Sequence, residues 1–211
     1  MSRRARVAIL VLSATAAAAG IAAGCGPVRR FAYAGPGRDG WQQPDRVVAS
    51  LGLEPGARVA DLGAGGGYFT WRLADAVGPE GQVFAVDVDE EMLAHLAERS
   101  REQGDANVET VLGEYDDPLI PEGGVDWIFT CNTYHHIQGR TAYFANARRY
   151  LRPGGRIAIV EFNGKGWFER WFVHYIPADE IRAEMRAAGY AELASHDYLG
   201  RQSFLVFGLA D

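Results

Sequence analysis

The sequence predicts one α/β domain, a seven-stranded and mostly parallel sheet with a single antiparallel strand and helices on both faces. Three observations predict it. From Trp41 onward short apolar segments alternate with amphipathic ones, as when each parallel strand is joined to the next by a helix. Glycines at 63, 65, 66 and 67 fill the first strand-to-helix junction. The last two strand segments follow one another with no helix between them, which makes them a hairpin and turns one strand antiparallel to the rest.

Each element has a local reason. Pro44 opens a helix that carries Val47, Val48 and Leu51 and is closed by Gly52 and Pro55-Gly56. Residues 58–62 are a short apolar strand, and 68–77 put Phe69, Leu73 and Val77 on one helical face ahead of Gly78. A second strand covers 83–88. Asp89 then offers the short carboxylate that caps a helix, ahead of Met92, Leu93 and Leu96. Strands follow at 108–112 and 125–131. Residues 140–151 are helical, stopped by Pro153-Gly154-Gly155, and 156–162 make a fifth strand. Pro177 starts a helix with Ile181 and Met185 that ends at Gly189, and the closing strands are 191–198 and 203–208.

The remaining composition narrows the partners. A length of 211 residues suits one such domain plus a leader. The formal charge of −6, with no basic run longer than a pair such as Arg29-Arg30 after the leader, is a poor match to a phosphate backbone, so no nucleic-acid partner is expected. Two cysteines, Cys25 and Cys131, make neither a disulfide framework nor a zinc cluster, and no metal is expected.

The N-terminus reads as a leader. Arg3, Arg4 and Arg6 precede an uncharged, Ala-rich stretch over 7–24 that ends in Ala22-Ala23-Gly24-Cys25. A basic start, an apolar middle and small residues at the end describe a secretory signal. Ala-Ala-Gly-Cys resembles the lipobox of bacterial lipoproteins, with Ala22 where Leu is usual, and the resemblance implies a lipidated Cys25. The domains expected are a signal peptide over 1–24, a Gly/Pro/Arg-rich linker over 25–40 and a folded domain over 41–211. A cleaved leader takes the formal charge from −6 to about −9. Plain secretion and an uncleaved anchor with a cytoplasm-facing domain are the alternatives. The stretch is short and weakly apolar for a membrane span.

The glycine loop reads Asp61-Leu62-Gly63-Ala64-Gly65-Gly66-Gly67-Tyr68. Glycines let backbone turn sharply and approach a ligand with no Cβ between them, and the next helix aims its N-terminal amides at the ligand. A nicotinamide loop needs Gly-x-Gly-x-x-Gly, and Tyr68 stands at its third glycine. Asp61 also repels a pyrophosphate, whereas it welcomes a cationic amino group. The pattern Asp-x-Gly-x-Gly-x-Gly resembles the first motif of class I S-adenosylmethionine-dependent methyltransferases, a Rossmann-like family. The resemblance spans roughly Trp41 to the C-terminus and implies S-adenosyl-L-methionine as cofactor.

The resemblance assigns further positions. Asp87 ends the second strand about 20 residues after the loop, where a ribose-binding carboxylate is expected, and Val88 matches the apolar residue that packs on adenine. Gly113-Glu114-Tyr115-Asp116-Asp117 stands where the family bonds adenine, which makes Glu114, Tyr115 and Asp116 candidates, while Asp117 reads equally as a surface turn. After the fourth strand, Cys131 and Asn132 face the methionine portion. His135, His136 and His174 are candidate bases, because imidazole titrates near working pH. Adjacent His side chains are expected to diverge, which disfavours a shared metal.

The acceptor is less legible. No Asn-Pro-Pro-Tyr or Asp-Pro-Pro-Tyr follows the fourth strand, and no cysteine cluster suggests arsenic chemistry. Trp167, Phe168, Trp171, Phe172, His174 and Tyr175 either line an apolar pocket for a small, lipophilic acceptor or pack as a lid. A cytosolic cofactor sits awkwardly with an export signal. A non-catalytic ligand-binding lipoprotein on the same scaffold is therefore the alternative function.

Overall fold

The computed structural model describes residues 37–104, 106–121, 124–165 and 174–210. The leader, Cys25, Trp167, Phe168, Trp171 and Phe172 lie outside the described residues. In chain order the elements are α1 (Arg38–Gln42), α2 (Pro44–Leu51), β1 (Arg58–Leu62), α3 (Thr70–Val77), β2 (Gln82–Asp87), α4 (Glu90–Gln103), β3 (Val108–Leu112), β4 (Val125–Cys131), α5 (Arg140–Ala147), β5 (Leu151–Phe162), α6 (Ala178–Ala187), β6 (Tyr190–His196) and β7 (Gln202–Leu209). Short 3-10 turns cover Tyr134–His136 and Arg148–Tyr150.

The seven strands form one sheet in the order β3-β2-β1-β4-β5-β7-β6. β1 pairs parallel with β2 and β4, β2 with β3, and β4 with β5. β7 runs antiparallel between β5 and β6, so the hairpin expected from 191–208 supplies the one reversed strand. Apolar side chains cover both faces. On one, Leu73 and Val77 of α3 and Val47 of α2 pack on Val59, Val83 and Phe129. On the other, Phe144 of α5 and Ile181 of α6 pack on Ala60, Ile128 and Ile157. Neighbouring residues of β1 thus point to opposite cores, which is why it reads as a continuous apolar run.

Three boundaries depart from the expectation by more than two residues. Helix α1 begins at Arg38, inside the stretch expected to be linker. Its Gln42 is fully buried by contacts to residues far along the chain, and no local pattern announces those. α5 stops at Ala147 rather than continuing to 151. β5 starts five residues before the expected 156, because Leu151 already pairs with Val125. The register then shifts, so that Trp127 faces Arg156 and the Pro153-Gly154-Gly155 turn bulges out of the ladder. Proline has no N–H to give a ladder, and the bulge accommodates it. Among the described residues no helix is long and apolar enough to cross a membrane.

The order reverses between β1 and β4, whose first connections run to opposite sides of the sheet. The crevice beyond the strand ends at such a point is where open α/β sheets bind ligands. The opposite end is braced by Asp126, which accepts the Arg58 backbone N–H at 2.8 Å and faces the Arg152 guanidinium at 3.2 Å. Asp126→Ala is expected to lower stability by about 1 kcal/mol in chemical denaturation, with ligand affinity at the far end of the strands unchanged.

Candidate active site

The glycine loop is pinned to the end of β2. Gly63 N–H and Ala64 N–H both donate to the Val86 carbonyl, at 2.8 and 3.1 Å. Gly63 has φ 77°, and a Cβ there would lie 2.1 Å from Thr133 Oγ1, so only glycine lets the loop pass the segment after β4. Gly65 also has positive φ, but among the described residues, its two chain neighbours aside, no atom lies within 4 Å of where its Cβ would be. A glycine facing open space at this point leaves backbone bare for a ligand. At Gly67 a Cβ would strike Leu96 and Trp71, which holds the loop against α4.

Asp61, the fourth residue of β1, is only 3% exposed. Its Oδ2 accepts a 2.6 Å hydrogen bond from the Thr70 hydroxyl at the start of α3. Burial pushes its pKa up to about 7, eased by the Thr70 hydrogen bond, reinforced by the negative charge of Asp87 and opposed by Arg38. A carboxyl held so far from water is poised to ionise when a cation arrives.

Asp87 locks loop to strand. Its Oδ2 accepts from Gly65 N–H at 2.8 Å and its Oδ1 from Asp89 N–H at 3.1 Å. A carboxylate oxygen accepts up to two hydrogen bonds, a chemistry that suits vicinal hydroxyls. Asp89 caps α4 as expected, its Oδ1 accepting from Glu91 and Met92 N–H. Val88 and Leu112, at the ends of β2 and β3, are 43% and 47% exposed and leave a bare apolar surface there. Gly113 N–H donates to the Asp87 carbonyl at 3.0 Å, which brings the 113–117 turn to the same end of the sheet. Glu114, Tyr115 and Asp116 are exposed on that turn. Asp117 is taken up by the Tyr150 hydroxyl at 2.7 Å and by Arg149, so it is the structural member of the acidic run.

After β4, Asn132 has φ 57° and its N–H donates to the Val160 carbonyl at 2.9 Å. Gln202 Nε2 donates to Asn132 Oδ1 at 2.7 Å, and Gln42 Nε2 donates to Cys131 Sγ at 2.9 Å. Burial pushes the Cys131 thiol up to about 12, so it is inert as a nucleophile.

His135 and His136 share a 3-10 turn, and their rings do not diverge: the centroids are 4.0 Å apart. The tight turn carries both imidazoles to one side, which a helix-like spacing does not predict. His174 joins them, its ring 6.4 Å from that of His135. Among the described residues, no group of three His, Cys, Asp or Glu is placed to hold a metal. His135 Nδ1 lies 3.0 Å from Glu161 Oε1. Glu161 is fully buried, and its oxygens also accept the His135 and Phe162 backbone N–H groups at 3.2 and 2.7 Å. With the carboxylate as acceptor throughout, Nδ1 carries the ring proton and Nε2 is the basic nitrogen. His136 is held below the usual imidazole range, first by burial and then by His135 beside it. It lines a cavity of about 860 Å³ with Arg140, Thr141 and Glu184. Arg140 is bound by Glu184 and Glu180, and the Tyr134 hydroxyl donates to Glu184 at 2.7 Å.

The structure thus gathers Asp61, Gly63, Ala64, Gly65, Gly67, Asp87, Cys131 and Asn132 at one end of the strands, with His135, His136 and His174 as a second cluster. Sequence patterns passed over Glu161, Thr133, Gln42 and Gln202. For Glu161 the signal was there, a lone charge in Ile157-Ala158-Ile159-Val160-Glu161-Phe162. A charge is almost never fully buried without a partner.

Residues 59–155 match the family described as methyltransferase domain. The arsenite methyltransferase of Halobacterium salinarum is 33% identical over 54% of this chain and 29% of its own length. The ubiquinone/menaquinone biosynthesis C-methyltransferase of Shewanella piezotolerans is 32% identical over 72% of this chain and 61% of its own. The chain therefore spans between about a third and three fifths of these curated relatives. The crystal structure of a SAM-dependent methyltransferase from Aquifex aeolicus superposes with a TM-score of 0.74 at 24% identity, covering 86% of this chain and 97% of that one. The fold is the Rossmann-like methyltransferase fold.

Asp61 makes stability depend on pH. Its folded pKa near 7 lies above the ordinary 3.8, so its contribution is full below about 3.8 and is lost as pH rises through about 7. Asp61→Asn, which cannot ionise, is expected to be more stable than wild type near pH 8 and no more stable near pH 4. The gain is on the order of 1.4 kcal/mol per unit of raised pKa. Thermal melts across this range check it, and equal differences at both ends would overturn it.

Proposed function

We propose, with the methyltransferase-domain match over residues 59–155 as the premise, that this chain transfers a methyl group from S-adenosyl-L-methionine to a small, lipophilic acceptor. The observation that carries the cofactor assignment is Asp61: a buried, cation-seeking carboxyl at the start of a glycine loop whose Gly65 faces open space. Asp61 takes the cofactor's amino group, and the backbone of Gly63, Ala64, Gly65 and Gly67 lies along it. Asp87 takes the ribose hydroxyls, Val88 the face of adenine, and Glu114, Tyr115 or Asp116 its polar edge. The 131–132 segment borders the methionine portion.

When bound, this cofactor supplies a methyl group already activated by the positive charge of its sulfonium, so no metal is needed to drive the displacement. The chain's own task is alignment and proton removal. His135 takes the acceptor's proton on Nε2 as the new bond to carbon or oxygen forms. Buried Glu161 holds the ring and its tautomer, and steadies the imidazolium that results. His136, kept neutral by burial, lines the acceptor side with Arg140.

Two relatives bear on the acceptor. The C-methyltransferase of quinone biosynthesis resembles this chain over 61% of its own length, which supports a lipophilic acceptor. The arsenite enzyme matches over 29% of its length, and this chain has Cys25 and Cys131 as its only thiols, so arsenic is not the acceptor proposed. A lipid-anchored Cys25 puts the domain beside a membrane, where such acceptors partition.

Calorimetric titration with S-adenosylmethionine is expected to show micromolar binding that is lost in Asp87→Ala. Absence of binding by the folded wild type would sink the cofactor assignment. With a methyl-labelled donor and a panel of lipophilic phenols and quinols, His135→Ala is expected to slow transfer by roughly 10²–10⁴-fold with cofactor affinity kept. An unchanged rate would remove His135 from the chemistry. In cells fed a clickable fatty acid, Cys25→Ala is expected to lose the label and leave the membrane fraction. An unlabelled wild type would rule out the lipid anchor.

A further inference from the structure

Two fully buried primary amides remain without a role. Gln42 on α1 is 0% exposed, and Gln202 at the start of β7 is 2% exposed. A buried amide is costly unless its hydrogen bonds are made, and an apolar side chain would fill either place more cheaply. Both amides are satisfied, and by each other. Arg38 Nε donates to Gln42 Oε1, Gln42 Nε2 donates to Gln202 Oε1 at 3.2 Å, and Gln202 Nε2 donates to Asn132 Oδ1 at 2.7 Å. The last two contacts join segments 160 and 70 positions apart in the chain.

The chain of bonds has a direction. Arginine only donates, so Gln42 must present its oxygen to Arg38 and its NH₂ group inward. Gln202 must then accept from Gln42 and donate to Asn132. The polarity set at Arg38 therefore fixes which end of the Asn132 amide is used up: the oxygen is taken, and the NH₂ donors remain for a ligand. Asn132 stands directly after β4 in a left-handed backbone conformation, held by its own N–H to the Val160 carbonyl. Arg38 bears on the other half of the site too, since its charge acts on both Asp61 and Cys131.

We infer that Gln42 and Gln202 are positioning residues for the amino-acid end of the cofactor: they orient the Asn132 amide so that its N–H groups meet the carboxylate while Asp61 meets the ammonium. The inference rests on the cofactor assignment made above. It makes α1, a helix outside the matched domain, a working part of the site.

The test compares S-adenosylhomocysteine with 5′-methylthioadenosine, which has the same nucleoside and thioether but no amino-acid end. Gln42→Glu keeps the acceptor for Arg38, so α1 still docks, but it has no donor for Gln202. Gln202 must turn over to donate to it, Asn132 must follow, and an oxygen replaces the N–H groups facing the carboxylate. The variant is expected to bind S-adenosylhomocysteine about tenfold more weakly, the effect of one charge-assisted hydrogen bond, and to bind methylthioadenosine as wild type does. Gln202→Leu cuts the same relay and is expected to show the same selective loss. In an Asn132→Ala background, Gln42→Glu is expected to have no further effect. Equal losses for both ligands would reduce the two glutamines to a structural role and overturn the inference. Wild-type binding of both ligands with no loss in either variant would overturn it as well. A wild type that binds neither ligand would instead remove the cofactor assignment, and the inference with it.

Discussion

The candidate site depends on one contact, the passage of the glycine loop against the segment that follows β4. β1 pairs with β2 on one side and β4 on the other, so Leu62 is in register with both Val86 and Thr130. The chain leaving β1 must cross the crevice those strands share. It does so with its N–H groups bonded to the Val86 carbonyl and with no room for a Cβ between Gly63 and Thr133. That single close approach sets where Gly65 opens to solvent and where Asp87 reaches the loop. It also sets how far the 132–136 turn stands from it.

Around this junction the charges are arranged at some expense to folding. Asp61 is kept from water and, among the described residues, accepts its hydrogen bond from the Thr70 hydroxyl alone, and near neutral pH an ionised carboxylate there opposes the folded state. A cationic ligand relieves that penalty, which links binding to proton release. The second cluster is organised differently. Glu161 is satisfied by two backbone N–H groups and an imidazole. It fixes a tautomer rather than waiting for a partner. One carboxyl is tuned for a ligand's charge and the other for a ring's orientation, and the difference lies in how many donors each one meets.

A separate polar relay runs through α1 to the segment after β4. Gln42, Gln202 and Asn132 come from α1, the start of β7 and the residue after β4, and the antiparallel insertion of β7 between β5 and β6 brings them together. Had the closing hairpin stood at the sheet's edge in chain order, Gln202 would not border β5 and the segment after β4.

By itself the sequence determined what is local. The alternation of apolar strands with helices, the hairpin at 191–208, the Asp89 cap, and the Asp61 and Asp87 positions all rest on spacing within about 20 residues, where backbone geometry and capping chemistry decide. The candidate positions from Asp61 to Asp87 could be proposed from the sequence because they belong to one continuous strand-loop-helix-strand unit. Only the tertiary structure decided the start of α1 inside an expected linker, the bulge that lets β5 begin at Leu151, the side-by-side rings of His135 and His136, and the pairing of His135 with Glu161. These depend on partners dozens of residues away or on the hand of a tight turn. The hydrophobic period does not encode such contacts. Buried polar groups reveal them once packing has put a donor beside each acceptor.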